Sequence, residues 1–199
     1  MSDSPEVIVK QAGADEAASV GEILGDAFGA DPVGKWISSE PEYPRWCWTA
    51  AVSLLLPHLE VYVTENRLGA AMWVPPGVEL NVKPGLAIIW DLWRRFGFGS
   101  ILRVVRLMKM MDKVHPKDDH YYLLAVGVRT ESKGQGIGSA LLENVLQKCD
   151  CEKVGAYLEN SNPKNLSFYQ RHGFHVQIEV TLPRNGPSLW PMYREPQKF

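Results

Sequence analysis

The sequence predicts an α/β domain with a central mixed sheet flanked by helices. Three observations carry that prediction. Residues 120–129 are an apolar, β-prone run that enters a turn at Gly134, Gly136 and Gly138 and leaves as a helix, with Ile137, Leu141, Val145 and Cys149 on one face. A second strand (154–159) and a second, short helix (163–172) follow, so the order is strand-helix-strand-helix. Upstream, residues 59–65 and 68–74 flank Asn66-Arg67 as an antiparallel hairpin, which makes the sheet mixed. The 199 residues suit one core, so residues 1–199 are read as a single domain.

In order, residues 1–6 read as a frayed end and Val7 to Gln11 as a short strand. From Ala14 the pattern turns helical: Ala17, Val20, Leu24 and Phe28 share a face, and Asp15 and Glu16 sit where the helix dipole favours acids. That helix is predicted to stop near Gly29. Asp31-Pro32 opens a second helical zone, predicted to break at Pro41 and Pro44. Trp36, Tyr43, Trp46 and Trp48 gather there, either as core aromatics or as the wall of a pocket.

After the hairpin, Pro75-Pro76-Gly77 is a hard stop. Residues 84–111 then read as helix, split at Gly97 and Gly99. Arg94, Arg95, Arg103, Arg106 and Lys109 form either its solvated side or a surface for a membrane or partner. Near the C-terminus, Asn162 has cap chemistry, Pro163 suits a first helical position and Gly173 suits a stop. Phe174 to Leu182 and Leu189 to Tyr193 are predicted to close the fold as strands.

Charge and cysteines narrow the function. A formal net charge of -2 speaks against a nucleic-acid surface. Cys47, Cys149 and Cys151 make no disulfide framework, and Cys149-Asp-Cys151 lacks the second half of a metal site, so no metal is expected. No apolar run reaches membrane-spanning length and the acidic N-terminus is unlike a signal peptide. The expectation is a cytoplasmic protein, monomer or homodimer, with neither membrane nor nucleic acid as partner.

The glycine turn is where chemistry enters. Glycines let the backbone approach a ligand closely, and the first N–H groups of a helix lack internal partners at the positive end of its dipole. Together they can cradle phosphate oxygens. The spacing is neither that of the P-loop nor that of the dinucleotide fingerprint. It resembles the pyrophosphate loop of the GCN5-related N-acetyltransferase (GNAT) superfamily: Arg or Gln, two residues, Gly, one residue, Gly or Ala. Here it reads Lys133-Gly134-Gln135-Gly136-Ile137-Gly138. Lysine in the first slot keeps the charge and loses arginine's fork. A second signature of that superfamily is matched by Asn165, Tyr169 and Gly173-Phe174. From His120 to Pro196 the chain is most similar to puromycin N-acetyltransferase-like members, through Val126 to Val128, Leu158-Glu159, Phe168-Tyr169 and the stretch from Pro187 to Trp190.

The resemblance implies a GNAT-like sheet splayed open between the strands at 120–129 and 154–159, with acetyl-CoA as co-substrate. The pantetheine arm would pair with backbone at Val126, Gly127 and Val128. The pyrophosphate would sit on Lys133, Gly134, Gln135, Gly136, Ile137, Gly138 and Ser139, with Asn165 also on the cofactor. Residues 120–182 would form the acetyl-CoA core and residues 1–115 would mainly choose the acceptor, a small-molecule amine.

Acetyl transfer needs a neutral amine, a polarised thioester carbonyl and a proton for the leaving thiolate. Tyr169 matches the family's proton donor, and a phenol is protonated at neutral pH. Alone, it would read as a helix-face aromatic. The backbone N–H of Val128 is the candidate for polarising the carbonyl. Glu159, at a strand end, reads as the base, as an anchor for the amine, or as a surface carboxylate. Trp36, Trp73 and His120 are the candidate acceptor contacts. Cys149 lies on the buried stripe, which favours direct transfer in a ternary complex over an acetyl-cysteine route. A peptide or protein acetyltransferase and a non-catalytic acyl-CoA sensor are the alternatives.

Overall fold

The computed structural model describes residues 7–80 and 82–197. Strand β1 (Val9–Gln11) leads through one 3-10 turn into helix α1 (Ala17–Ala27), then α2 (Pro32–Ile37) and α3 (Tyr43–Leu55). The hairpin β2 (Glu60–Thr64) and β3 (Gly69–Val74) precedes the long α4 (Leu86–Val114). Next come β4 (His120–Val128), α5 (Ile137–Glu152), β5 (Gly155–Asn160) and α6 (Leu166–Arg171). Strands β6 (His175–Val176), β7 (Val180–Thr181) and β8 (Ser188–Arg194) finish the chain.

The sheet order is β1-β2-β3-β4-β5-β8-β6, with β7 on β8. Among the described residues, only β4 and β5 pair in parallel, joined by a crossover through α5; the other pairs are antiparallel. The mixed sheet flanked by helices is therefore as predicted.

Two irregularities shape the centre. Met72 pairs with Ala125 and Trp73 with Leu123, so Leu124 has no partner and β4 carries a bulge. The β4–β5 pairing covers only His120 to Tyr122 against Gly155 to Tyr157, and the strands part beyond it.

Side chains on the two faces build separate layers. Leu141, Leu142, Val145 and Leu146 of α5 pack with Tyr121, Leu123, Leu158 and Met192 on one face. Val20, Ile23 and Leu24 of α1 cover Val63, Ala70, Met72 and Ala125 on the other. Beside α1, helices α2 and α4 meet the β7–β8 hairpin through Val33, Ile37, Leu92, Leu182 and Leu189.

Several local expectations need correction. Pro44 does not break a helix; it stands in the first turn of α3, where its missing N–H costs nothing. Within α4 only Gly97 leaves helical geometry, at φ 78, so Gly99 contributes no break. The strand expected over 174–182 is two short pieces. Val176 pairs with Met192 and Val180 with Leu189, which leaves one extra residue opposite Pro191, and proline has no N–H for the ladder. The frayed end expected over 1–6 lies outside the described residues.

Candidate active site

Where β4 and β5 part, a cavity of about 480 Å3 opens through the sheet. Its walls come from both faces: Phe28 and Asp31 after α1, Val126 to Val128 of β4, the glycine turn, and Phe168, Tyr169 and Arg171 of α6. Of the residues predicted to hold the cofactor, all line it except Gln135. Gln135 is exposed and is not among the cavity walls.

One edge of the gap is bare backbone. The Arg129 N–H donates to the carbonyl of Leu68, the residue before β3, at 2.8 Å. Because successive residues of a strand face opposite neighbours, Gly127 also faces β3, and Val126 and Val128 face the gap. Their polar groups are free to accept an extended ligand as an added strand. Gly127 has a packing reason of its own: a Cβ there would meet the Ala27 Cβ at 2.6 Å, so only glycine lets α1 lie against β4.

The other end of the cavity is the turn. Gly136 is the residue before α5, with φ 79, and Gly134 has φ 84. Space around both is open: no atom lies within 4 Å of where their Cβ would stand. The first intrahelical bond runs from Ala140 N to Gly136 O, at 3.1 Å. The N–H groups of Ile137, Gly138 and Ser139 thus precede the helical ladder and face the cavity, a pattern that suits a diphosphate. Lys133 and Arg171 add positive charge on the same walls.

Tyr169 is buried at 8% exposure and lines the cavity from α6. Burial, and secondarily the Asp31 carboxylate, push its phenol well above the usual tyrosine range. It stays protonated and can donate. One turn on, the Nδ1 of His172 is 2.7 Å from the Phe168 carbonyl.

Asp31 ties the halves together, which sequence reasoning missed. Its Oδ1 accepts from the N–H groups of Val33 at 2.9 Å and Gly34 at 3.0 Å, capping α2. Its Oδ2 accepts the Ser161 hydroxyl from the loop after β5. Asn160 and Asn162 brace that loop, Asn160 Nδ2 donating to Asn162 O at 2.9 Å. In the sequence, Asp31-Pro32 signalled only a helix start.

Glu159 is on the face opposite α5, beyond the last β4–β5 pair, and is not a wall of the cavity. It is no surface carboxylate: 3% of its side chain is exposed. Around it stand His115 after α4, His120 and Tyr122 of β4, and Tyr157 of β5. His120 is buried, and burial chiefly lowers its imidazole pKa, so it is neutral near pH 7. His115 carried no signal in the sequence beyond a polar loop.

The tryptophans divide differently from expectation. Trp36 is half-buried among the α2, α4 and β7–β8 contacts and lies against Gly186. Trp73 is fully buried on the α5 face and offers no surface to an acceptor. Along β3, Ala71 and Trp73 face α5 while Ala70 and Met72 face α1, so alternation alone buries Trp73. Cys149 is also in the core, and burial pushes its thiol up to about 12, which suits no nucleophile at neutral pH. Among the described residues, no group of three or more His, Cys, Asp or Glu side chains is placed to hold a metal ion, and no helix is long and apolar enough to cross a membrane.

A splayed parallel pair, a free strand edge, a helix-start cradle and a buried phenol define an acyltransferase. The chain belongs to the acetyltransferase (GNAT) family, whose model matches residues 28–174. Enzymes of that family use acetyl-CoA as co-substrate. An uncharacterized N-acetyltransferase of Schizosaccharomyces pombe is 28% identical over 195 residues, which span 87% of this chain and 77% of that protein. Among solved structures, the Corynebacterium glutamicum histone acetyltransferase HPA2 and related acetyltransferase superposes with a TM-score of 0.72 at 21% identity, over 98% of this chain and 99% of that one. A putative arylalkylamine N-acetyltransferase of the mosquito Aedes aegypti gives 0.60 at 14% identity, over 94% and 86%.

Proposed function

We propose that this acetyltransferase moves the acetyl group of acetyl-CoA to a primary amine of a small molecule, by direct transfer in a ternary complex. The observation that carries the proposal is the single cavity in which the glycine turn, the Val126–Val128 edge and the Tyr169 hydroxyl-bearing ring meet. The turn would hold the diphosphate, and the strand edge would hold the pantetheine. The Val128 N–H would polarise the thioester carbonyl, and Tyr169 would protonate the departing sulfur. Glu159 would take the amine's proton from the opposite face. Residues 120–182 would thus form the acetyl-CoA core, and the acceptor would be chosen mainly by residues 1–115.

The names of the similar structures pull both ways, one toward histones and one toward arylalkylamines. The roof over the Glu159 side favours a small acceptor. Helices α2 and α4 and the β7–β8 hairpin close there in one apolar cluster, with Trp36 against Gly186, where a peptide would need an open trench.

Thiol release from acetyl-CoA, measured across panels of small amines and of lysine and N-terminal peptides, tests the reading. Turnover with a small amine supports it. Turnover only with peptides replaces the acceptor, and binding of acetyl-CoA without turnover on any amine replaces catalysis with sensing.

A further inference from the structure

The enclosed Glu159 raises a question of where its proton goes. Its Oε1 is buried and has no hydrogen-bond partner. The nearest basic group is His115, whose Nδ1 is 3.7 Å away. Tyr122 from β4, Tyr157 from β5 and Tyr193 from β8 enclose the pair, and Asp118 and Asp119 border His120. The Tyr122 and Tyr157 phenols are pushed up, by burial first and then by Glu159, so neither gives up a proton near pH 7.

The hydrogen-bond geometry fixes the tautomers. His120 Nδ1 is 2.6 Å from the Asp118 carbonyl, which can only accept, so Nδ1 bears the proton. A neutral His120 then has a lone pair on Nε2. That atom is 3.2 Å from His115 Nε2, so His115 must donate there. A neutral His115 is left with a lone pair on Nδ1, turned toward the Glu159 carboxylate. Two acceptors thus face each other at 3.7 Å, and a proton that arrives on the carboxylate can pass to the Nδ1 lone pair.

We propose that His115 is the proton relay of this site, taking from Glu159 the proton that the acceptor amine surrenders, with His120 holding it in the tautomer that can receive it. The inference rests on the acetyl-transfer reading and on Glu159 as the base. In the first step an amine N–H bond breaks and a carboxyl O–H bond forms on Glu159. In the second that O–H bond breaks and an Nδ1–H bond forms, leaving a carboxylate and an imidazolium. Water or a buffer base then takes the proton from His115, 34% of whose side chain is exposed, and the pair is reset.

The test has two arms. In His115→Ala, kcat at pH 7 should fall tenfold or more, KM for acetyl-CoA should stay within twofold, and added imidazole should restore part of the rate. Unchanged kcat and an unchanged pH–rate profile would overturn the relay. The second arm needs no acceptor and no variant. Nitrogen-15 NMR of the histidine rings in the wild-type protein should find the proton of neutral His120 on Nδ1 and that of neutral His115 on Nε2. The opposite tautomer on either ring would overturn the relay while leaving acetyl transfer standing. The predicted tautomers in a protein that turns over no amine would instead remove the catalytic reading beneath it.

Discussion

Tyr122 and Tyr157 are the last residues at which β4 and β5 pair. Beyond them β4 keeps its partner on one side only, and its residues alternate between bonded and free. Backbone amide exchange should display that alternation. Val126 and Val128 should exchange on the order of 100-fold faster than Gly127 and Arg129, whose N–H groups face β3. Adding coenzyme A should slow the fast pair. Equal protection of all four would place the free edge elsewhere.

Gly136 carries a different load. At φ 79 it precedes α5 with open space beside it. Gly136→Val would put a β-branched side chain in the space meant for phosphate, and would cost ~1–2 kcal/mol of fold stability for the left-handed backbone. Coenzyme A affinity should drop by on the order of 100-fold, equivalent to ~3 kcal/mol. Affinity within twofold of the parent would remove the turn from the binding site.

Tyr169→Phe deletes one oxygen and keeps the ring that packs against Phe168 and Phe174. If its hydroxyl protonates the leaving sulfur, kcat should fall by about 10²- to 10⁴-fold with coenzyme A affinity nearly unchanged. Steady-state kinetics beside a binding titration checks both halves. Full activity would mean that water or another group supplies the proton.

The parts of this site that could be read in the sequence are those where local chemistry is sufficient. A glycine turn before an amphipathic stripe reports its own backbone, and Asn162, Pro163 and Gly173 report the ends of a helix. Asp31 and Ser161 could not be read that way, because their bond spans 130 residues and depends on two loops meeting. His115 is likewise given meaning only by α4 ending beside β5. Trp73 shows the opposite failure. Its residue type suggested a pocket, but alternation along β3 puts it with Ala71 on the α5 side, in the core. The strand expected over 174–182 failed because Pro191 sits in the partner strand, out of sight of local propensity.

At the far end of the sheet, Arg194 and Asp150 form a buried, two-pronged pair at 2.8 and 2.7 Å. The Arg194 hydrogen bonds hold the Asp150 carboxyl below its ordinary range, against burial and with help from the Gln197 N–H. A carboxyl depressed in the folded state stabilises the fold above its unfolded pKa of ~3.9, and that contribution is lost as pH falls through the folded value. Thermal melts should therefore be flat from neutral pH to about 5 on this account and drop below about 4. Arg194→Met should cost ~3–5 kcal/mol at pH 7, by stranding a buried charge, and should lose most of that acid sensitivity. A melt unchanged at neutral pH would contradict the pair's role.

The most direct test of the whole account is calorimetric titration of the folded wild-type protein with acetyl-CoA, in the absence of any amine. The cradle and the bare strand edge predict one saturable site per chain, and competition by free coenzyme A. No heat of binding up to millimolar ligand would contradict it.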